Sequence, residues 1–171
     1  MKVKKRWMVV AGTALVLIGS YVWRTYPRSV NITLDGIQYH LGSTPGVTPV
    51  TVALHGFREQ PLFGPETFFG TIDIAGATLP YLANGIYQTI PLNAHFGGLI
   101  VYYTRLHQLV DYGAIYPNRG FTEFAVQEWQ HSGWSSANGL VIAAPAQTRT
   151  QGLQLANKLM HAYVLPGHPL K

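Results

Sequence analysis

Val30-Asn31-Ile32-Thr33-Leu34-Asp35-Gly36-Ile37-Gln38-Tyr39-His40-Leu41 contains two arms of alternating apolar and polar residues, one on either side of an Asp-Gly dipeptide. A period of two turns one face of a strand to a core and the other to solvent, and Asp-Gly suits the two-residue type I′ turn between antiparallel strands. The stretch reads as a β-hairpin. Outward from it, Val50, Val52 and Leu54 alternate with Thr51, Ala53 and His55 as far as Gly56. Phe68 to Ile74 is aromatic and β-branched, with Gly70 at a bulge or close-approach position. Asn84-Gly85 separates Leu79 to Ala83 from Ile86 to Ile90 and reads as a second hairpin, its first arm confined to an edge by Pro80. Gly98 to Thr104 is a continuous apolar run, the pattern of a strand buried on both faces, and is expected at the centre of the sheet.

Arg105 to Val110 continues that strand or opens a short helix, and Pro117 to Gly120 is a turn. Phe121 to Gln130 alternates, with Phe124 and Val126 on one face and Glu123, Gln127 and Trp129 on the other. Leu140 to Ala144 is a further strand, ended by Pro145. Then the period changes: Leu153, Ala156, Leu159, Met160 and Tyr163 recur at three and four residues, one face of an amphipathic helix over about 146–165. Gly152 weakens its first turns and Pro166-Gly167 stops it. The expected fold class is α+β, with a mainly antiparallel β-sheet domain over residues 30–171 covered on one face by the C-terminal helix.

The formal charge of +5 comes from 12 Lys and Arg against 7 Asp and Glu. Lys2, Lys4, Lys5, Arg6 and Arg24 supply five of the positives. From Tyr26 onward seven basic residues meet seven acids, so the sheet domain is neutral. A nucleic-acid partner, which needs clustered Lys and Arg on the domain itself, is excluded. Residues 7–23 form an uncharged run between the basic segment 1–6 and a juxtamembrane linker, 24–29. As a helix this run spans about 25 Å, and Trp7, Trp23, Arg6 and Arg24 are the residue types that flank a membrane span. It reads as a transmembrane signal-anchor, with the lipid bilayer as partner. The positive-inside rule then puts the N-terminus in the cytoplasm and the sheet domain outside it in a single-pass arrangement. The alternative is a cleaved secretory leader, but Ile18 occupies a position before the cut that wants a small residue. The chain has no cysteine, so it uses neither disulfides nor a lipoprotein-type attachment.

Candidate chemistry is sparse. Val52-Ala53-Leu54-His55-Gly56-Phe57 looks like the strand and His-Gly before the oxyanion loop of α/β-hydrolases, but Gly133-Trp134-Ser135-Ser136-Ala137 lacks the second glycine of a nucleophile elbow, and no acid follows Glu128. The seven histidines show no metal-ligand spacing, so no metal and no cofactor are expected. Among the catalytic candidates are His55, His131 and Asp73, the last considered together with Glu123 as a carboxylate able to work in a pair. Trp134, in the polar loop HSGWSSANG, and Trp129 are the candidate binding aromatics.

A basic start, one apolar helix, Phe69-Gly70-Thr71-Ile72-Asp73 and the closing Gly139-Leu140-Val141-Ile142-Ala143-Ala144-Pro145-Ala146 before a helix together resemble small uncharacterised single-anchor extracytoplasmic proteins of Gram-positive bacteria. The resemblance implies a location and a domain shape and carries no catalytic residue. The expected function is a non-enzymatic module that binds an envelope polymer or protein partner through its sheet or the Trp134 loop. The alternative is a small cell-envelope hydrolase using His55 or His131.

Overall fold

A computed structural model describes residues 2–42, 46–75, 88–93, 97–103, 108–129, 133–164 and 169–171. Helix α1 (Lys2–Thr25) is followed by eight strands: β1 (Arg28–His40), β2 (Thr48–Glu59), β3 (Glu66–Ala75), β4 (Gln88–Leu92), β5 (Gly98–Tyr103), β6 (Leu109–Pro117), β7 (Phe124–Glu128) and β8 (Leu140–Ala144). Helix α2 (Arg149–Leu159) comes last. All strand pairs are antiparallel, in the order β4-β3-β2-β1-β8-β7-β6-β5. The first and last strands of that order meet where Asn93 and Gly97 exchange hydrogen bonds of 3.1 and 2.7 Å. The sheet thus curls into a nearly closed up-and-down barrel.

This differs from an open sheet with a helix on one face. Inward residues such as Val52, Leu54, Phe68, Ile72, Phe124, Val126 and Ile142 fill the barrel with its own core. A second core lies outside the barrel wall, where Ile37, Tyr39, Ala125, Val141 and Ala143 pack under Leu155, Ala156 and Met160 of α2. Strand β8 is buried on both faces, with Val141 and Ala143 facing the helix and Ile142 and Ala144 the interior, and so is most of β7. The apolar run in β5 forms the last strand of the sheet instead of its centre, and Leu99 is 43% exposed. Strand β6 overlaps the expected continuation or short helix only at Leu109 and Val110, and the rest of it, as far as Tyr116, lies in 111–116, to which the sequence pattern assigns no element.

Where a hairpin is expected at Asp35-Gly36, β1 runs on as one continuous strand. Gly36 is required by a distant neighbour: a Cβ there would lie 2.4 Å from the Ala143 carbonyl oxygen and 2.7 Å from the Ala144 Cβ. Absence of a side chain lets β8 press against β1 at the point where β1 passes from the barrel core to the helix-covered core. The expected hairpin around Asn84-Gly85 lies outside the described residues, apart from the arm entering β4.

Helix α2 is shorter than the 146–165 expected. It starts at a capping box in which Thr148 accepts from the Gln151 amide at 3.3 Å while Gln151 Oε1 accepts from the Thr148 amide at 3.2 Å. Gly152, unfavourable for helix formation alone, is where α2 touches the sheet: a Cβ would come 2.7 Å from the Tyr39 ring.

Helix α1 runs unbroken from Lys2 to Thr25, joining the segments 1–6 and 7–23 and ending inside 24–29, whose last residues already belong to β1. Among the described residues no helix is long and apolar enough to cross a membrane. In the part of α1 whose side chains are described, from Ala11 onward, the aliphatic residues are diluted by Gly12, Thr13, Gly19, Ser20, Tyr21 and Arg24. This finding overturns the transmembrane signal-anchor flanked by Arg6, Trp7, Trp23 and Arg24. The single-pass topology and the extracytoplasmic placement that rested on it fall with it.

Candidate functional site

Polar side chains converge inside the barrel at one end. Glu128 continues the inward row of Phe124 and Val126 on β7. Gln38 follows the inward row of β1 and donates from Nε2 to Glu128 Oε2 at 2.5 Å, reaching across β8. Tyr112 enters through a bulge: Ile100 pairs with Gly113 and Val101 with Asp111, so Tyr112 is the extra residue on β6 and its side chain joins the barrel core. Its hydroxyl favours the charged form of Glu128. His40 is exposed at the rim, with Nδ1 3.3 Å from the Asn138 carbonyl oxygen. Burial raises the Glu128 carboxyl above its ordinary value near 4.5, against the pull of the Gln38 hydrogen bond, of the Tyr112 hydroxyl and of the His40 charge.

The sign of the pH effect follows. A carboxyl with a raised folded-state pKa holds its proton longer folded than unfolded, so stability falls as pH rises from about 4.5 through the folded value, then levels off. The difference in unfolding midpoint between the native protein and Glu128→Gln should therefore change in favour of the glutamine variant across that window. Denaturant titrations at pH 4 to 8 check it, and a constant difference across the range contradicts the raised pKa.

The residues singled out from sequence are scattered. His55 lies on the outer face of β2, where Nδ1 donates to Asn31 Oδ1 at 2.6 Å. Its partner is an amide, where hydrolysis needs a serine or carboxylate. Asp73 is exposed on the outer face of β3, in register with Ala53 and not with His55. His131 lies outside the described residues. Glu123 is held by Lys158 at 2.6 Å and by Asn118 Nδ2 at 3.3 Å, an ion pair between the β6–β7 loop and α2. Trp134 is packed: its Nε1 donates to the Leu140 carbonyl at 3.0 Å and its ring meets Tyr163 edge-on at 5.8 Å. Trp129 likewise packs against the core beneath α2. Among the described residues no three His, Asp or Glu side chains gather to hold a metal ion.

The outer face of β1, β2 and β3 is a different surface. It presents Asn31 and His55 as a bonded pair, a Thr51–Asp35 hydrogen bond of 2.9 Å, and Thr71. Beside them Phe57 and Phe69 stand directly opposite each other across the strands, 49% and 42% exposed. Both lie in alternating strands at polar-phase positions, a signal readable in the sequence. Comparison with protein-family models, with curated proteins and with solved structures finds no match.

Proposed function

We propose that the protein is a non-enzymatic binding module that lays a neutral glycan chain along the outer face of β1–β3. The observation that carries the reading is the cross-strand pair of exposed phenylalanines, Phe57 and Phe69, next to the Asn31–His55 pair. Aromatic faces take the apolar face of a sugar ring, and flanking amide, imidazole and hydroxyl groups take its hydroxyls. In the described His55, Nδ1 is occupied by Asn31, leaving Nε2 as an outward acceptor. The balance of seven bases and seven acids from Tyr26 onward gives no long-range field to choose a charged polymer.

Affinity electrophoresis through gels containing a neutral glucan tests this. The native protein should be retarded, and Phe57→Ala with Phe69→Ala should weaken retention about tenfold or more, the scale of one to two stacking contacts. Both rings are partly exposed, so the double variant should keep its circular dichroism spectrum. Unchanged retention in the double variant, or retardation by anionic polysaccharide alone, defeats the proposal.

A further inference from the structure

We infer that the cleft between the β4–β5 turn and the end of α2 is a binding site for a small organic carboxylate. The cleft has a volume of about 200 Å³, and Leu92, Asn93, Gly97, Tyr116, Arg119 and Leu159 are among its lining residues. It shares no residue with the outer face of β1–β3.

The first observation is an unsatisfied donor. Tyr116 is only 4% exposed, and its hydroxyl has no hydrogen-bond partner among the described residues. A buried hydroxyl left without a partner costs free energy that a well-packed core avoids. The ring tip is fixed from the side of the β4–β5 turn, since a Cβ on Gly97 would lie 2.9 Å from Tyr116 Cζ, the atom that bears the hydroxyl. Tyr163 flanks the ring at 6.1 Å. Burial, and then the neighbouring Tyr163, push the Tyr116 pKa upward, so the group stays a donor throughout the working pH range.

The second observation is charge. Arg58 is bound to Glu66 and donates to the Arg119 backbone carbonyl, and Lys158 is bound to Glu123. Each of those ion pairs is neutral in itself. The Arg119 side chain is exposed and has no acid partner among the described residues, which leaves one uncompensated guanidinium at a cleft with Leu92, Ile115 and Leu159 in its walls. A planar fork suits a carboxylate, apolar walls suit a short hydrocarbon body, and a protonated phenol supplies one further hydrogen bond.

Thermal-shift titration of the full chain with acetate, butyrate and benzoate, each against its uncharged amide, tests the site. Butyrate and benzoate should raise the midpoint saturably and the amides should not. Arg119→Gln should weaken the affinity about tenfold or more. Tyr116→Phe carries the distinguishing signature: with no ligand its midpoint should rise, because an unsatisfied hydroxyl has gone, while carboxylate affinity falls about tenfold. The site is disproved if no carboxylate gives a saturable shift, if inorganic phosphate binds and carboxylates do not, or if Tyr116→Phe binds as tightly as the native chain.

Discussion

Replacing Phe121 by alanine should cost about 3–5 kcal/mol, the range for deleting a buried phenylalanine, and so consume much of the roughly 5–15 kcal/mol that holds a domain folded. Phe121 is 1% exposed in the loop between β6 and β7, and its ring packs on Phe68 with centroids 5.6 Å apart, closing the barrel at the end opposite Glu128. Its backbone adopts φ of 56°, a conformation that costs a residue with a Cβ about 1–2 kcal/mol. The turn is held locally, with the Phe121 amide donating to the Asn118 carbonyl at 3.0 Å and Asn118 Oδ1 accepting from Thr122 at 2.9 Å. The loop tolerates the strain because the ring gains more by closing the core. Alanine keeps the strain and loses the ring. Glycine relieves the strain, so Phe121→Gly should recover only about 1 kcal/mol of the loss. Urea unfolding of both variants decides the matter: a loss below 1 kcal/mol for the alanine variant would mean that the ring does not seal the barrel.

Gly56→Ala should be comparably damaging for the opposite reason. Gly56 and Gly70 face each other across β2 and β3, and a Cβ on Gly56 would sit 2.2 Å from the Phe69 carbonyl oxygen and 2.7 Å from the Gly70 Cα. Both obstacles are backbone, which no rotamer change can move. The strands must separate, at a cost of about 3 kcal/mol or more, the upper end of overpacking penalties. Because Phe57 and Phe69 are the next residues along, the same change should also weaken glycan retention, whereas an exposed control on α2, away from that face, such as Gln154→Ala should do neither. A Gly56→Ala protein with its thermal midpoint within a degree of the native one would show that the two strands have slack.

Much of the barrel is legible in the chain. The alternation of Val50, Val52 and Leu54 places β2, Leu140 to Ala144 is β8, and of the three-and-four spacing Ala156 and the C-cap Met160 are on the buried side of α2, with Leu153 partly buried beside them. What misleads is glycine, whose local and distant uses look alike. Asp35-Gly36 satisfies every local rule for a turn, yet the glycine is there for Ala143, far along the chain. The uninterrupted apolar run of β5 resembles a central strand more than β8 does, because β8 meets α2 through valine and alanine. Of the interior polar set, Glu128 had one readable signal, its phase with Phe124 and Val126. Gln38 and Tyr112 had none, since their meeting with Glu128 depends on barrel curvature and a bulge.

Strand β1 pairs with β8 through Ile37 and Ala143, so the first strand of the barrel finds its second neighbour only when nearly all of the chain is present. Closing so long a loop carries an entropic cost before any contact repays it, and topologies dominated by such pairings fold slowly. During synthesis β1, β2 and β3 can form a meander early, but its inner face, Val52, Leu54, Phe68 and Ile72, stays uncovered until β5 to β8 close the barrel over it. The nascent chain thus passes through a period with an exposed strand edge and an open apolar surface, the circumstances in which a β-rich chain depends on its surroundings to avoid association.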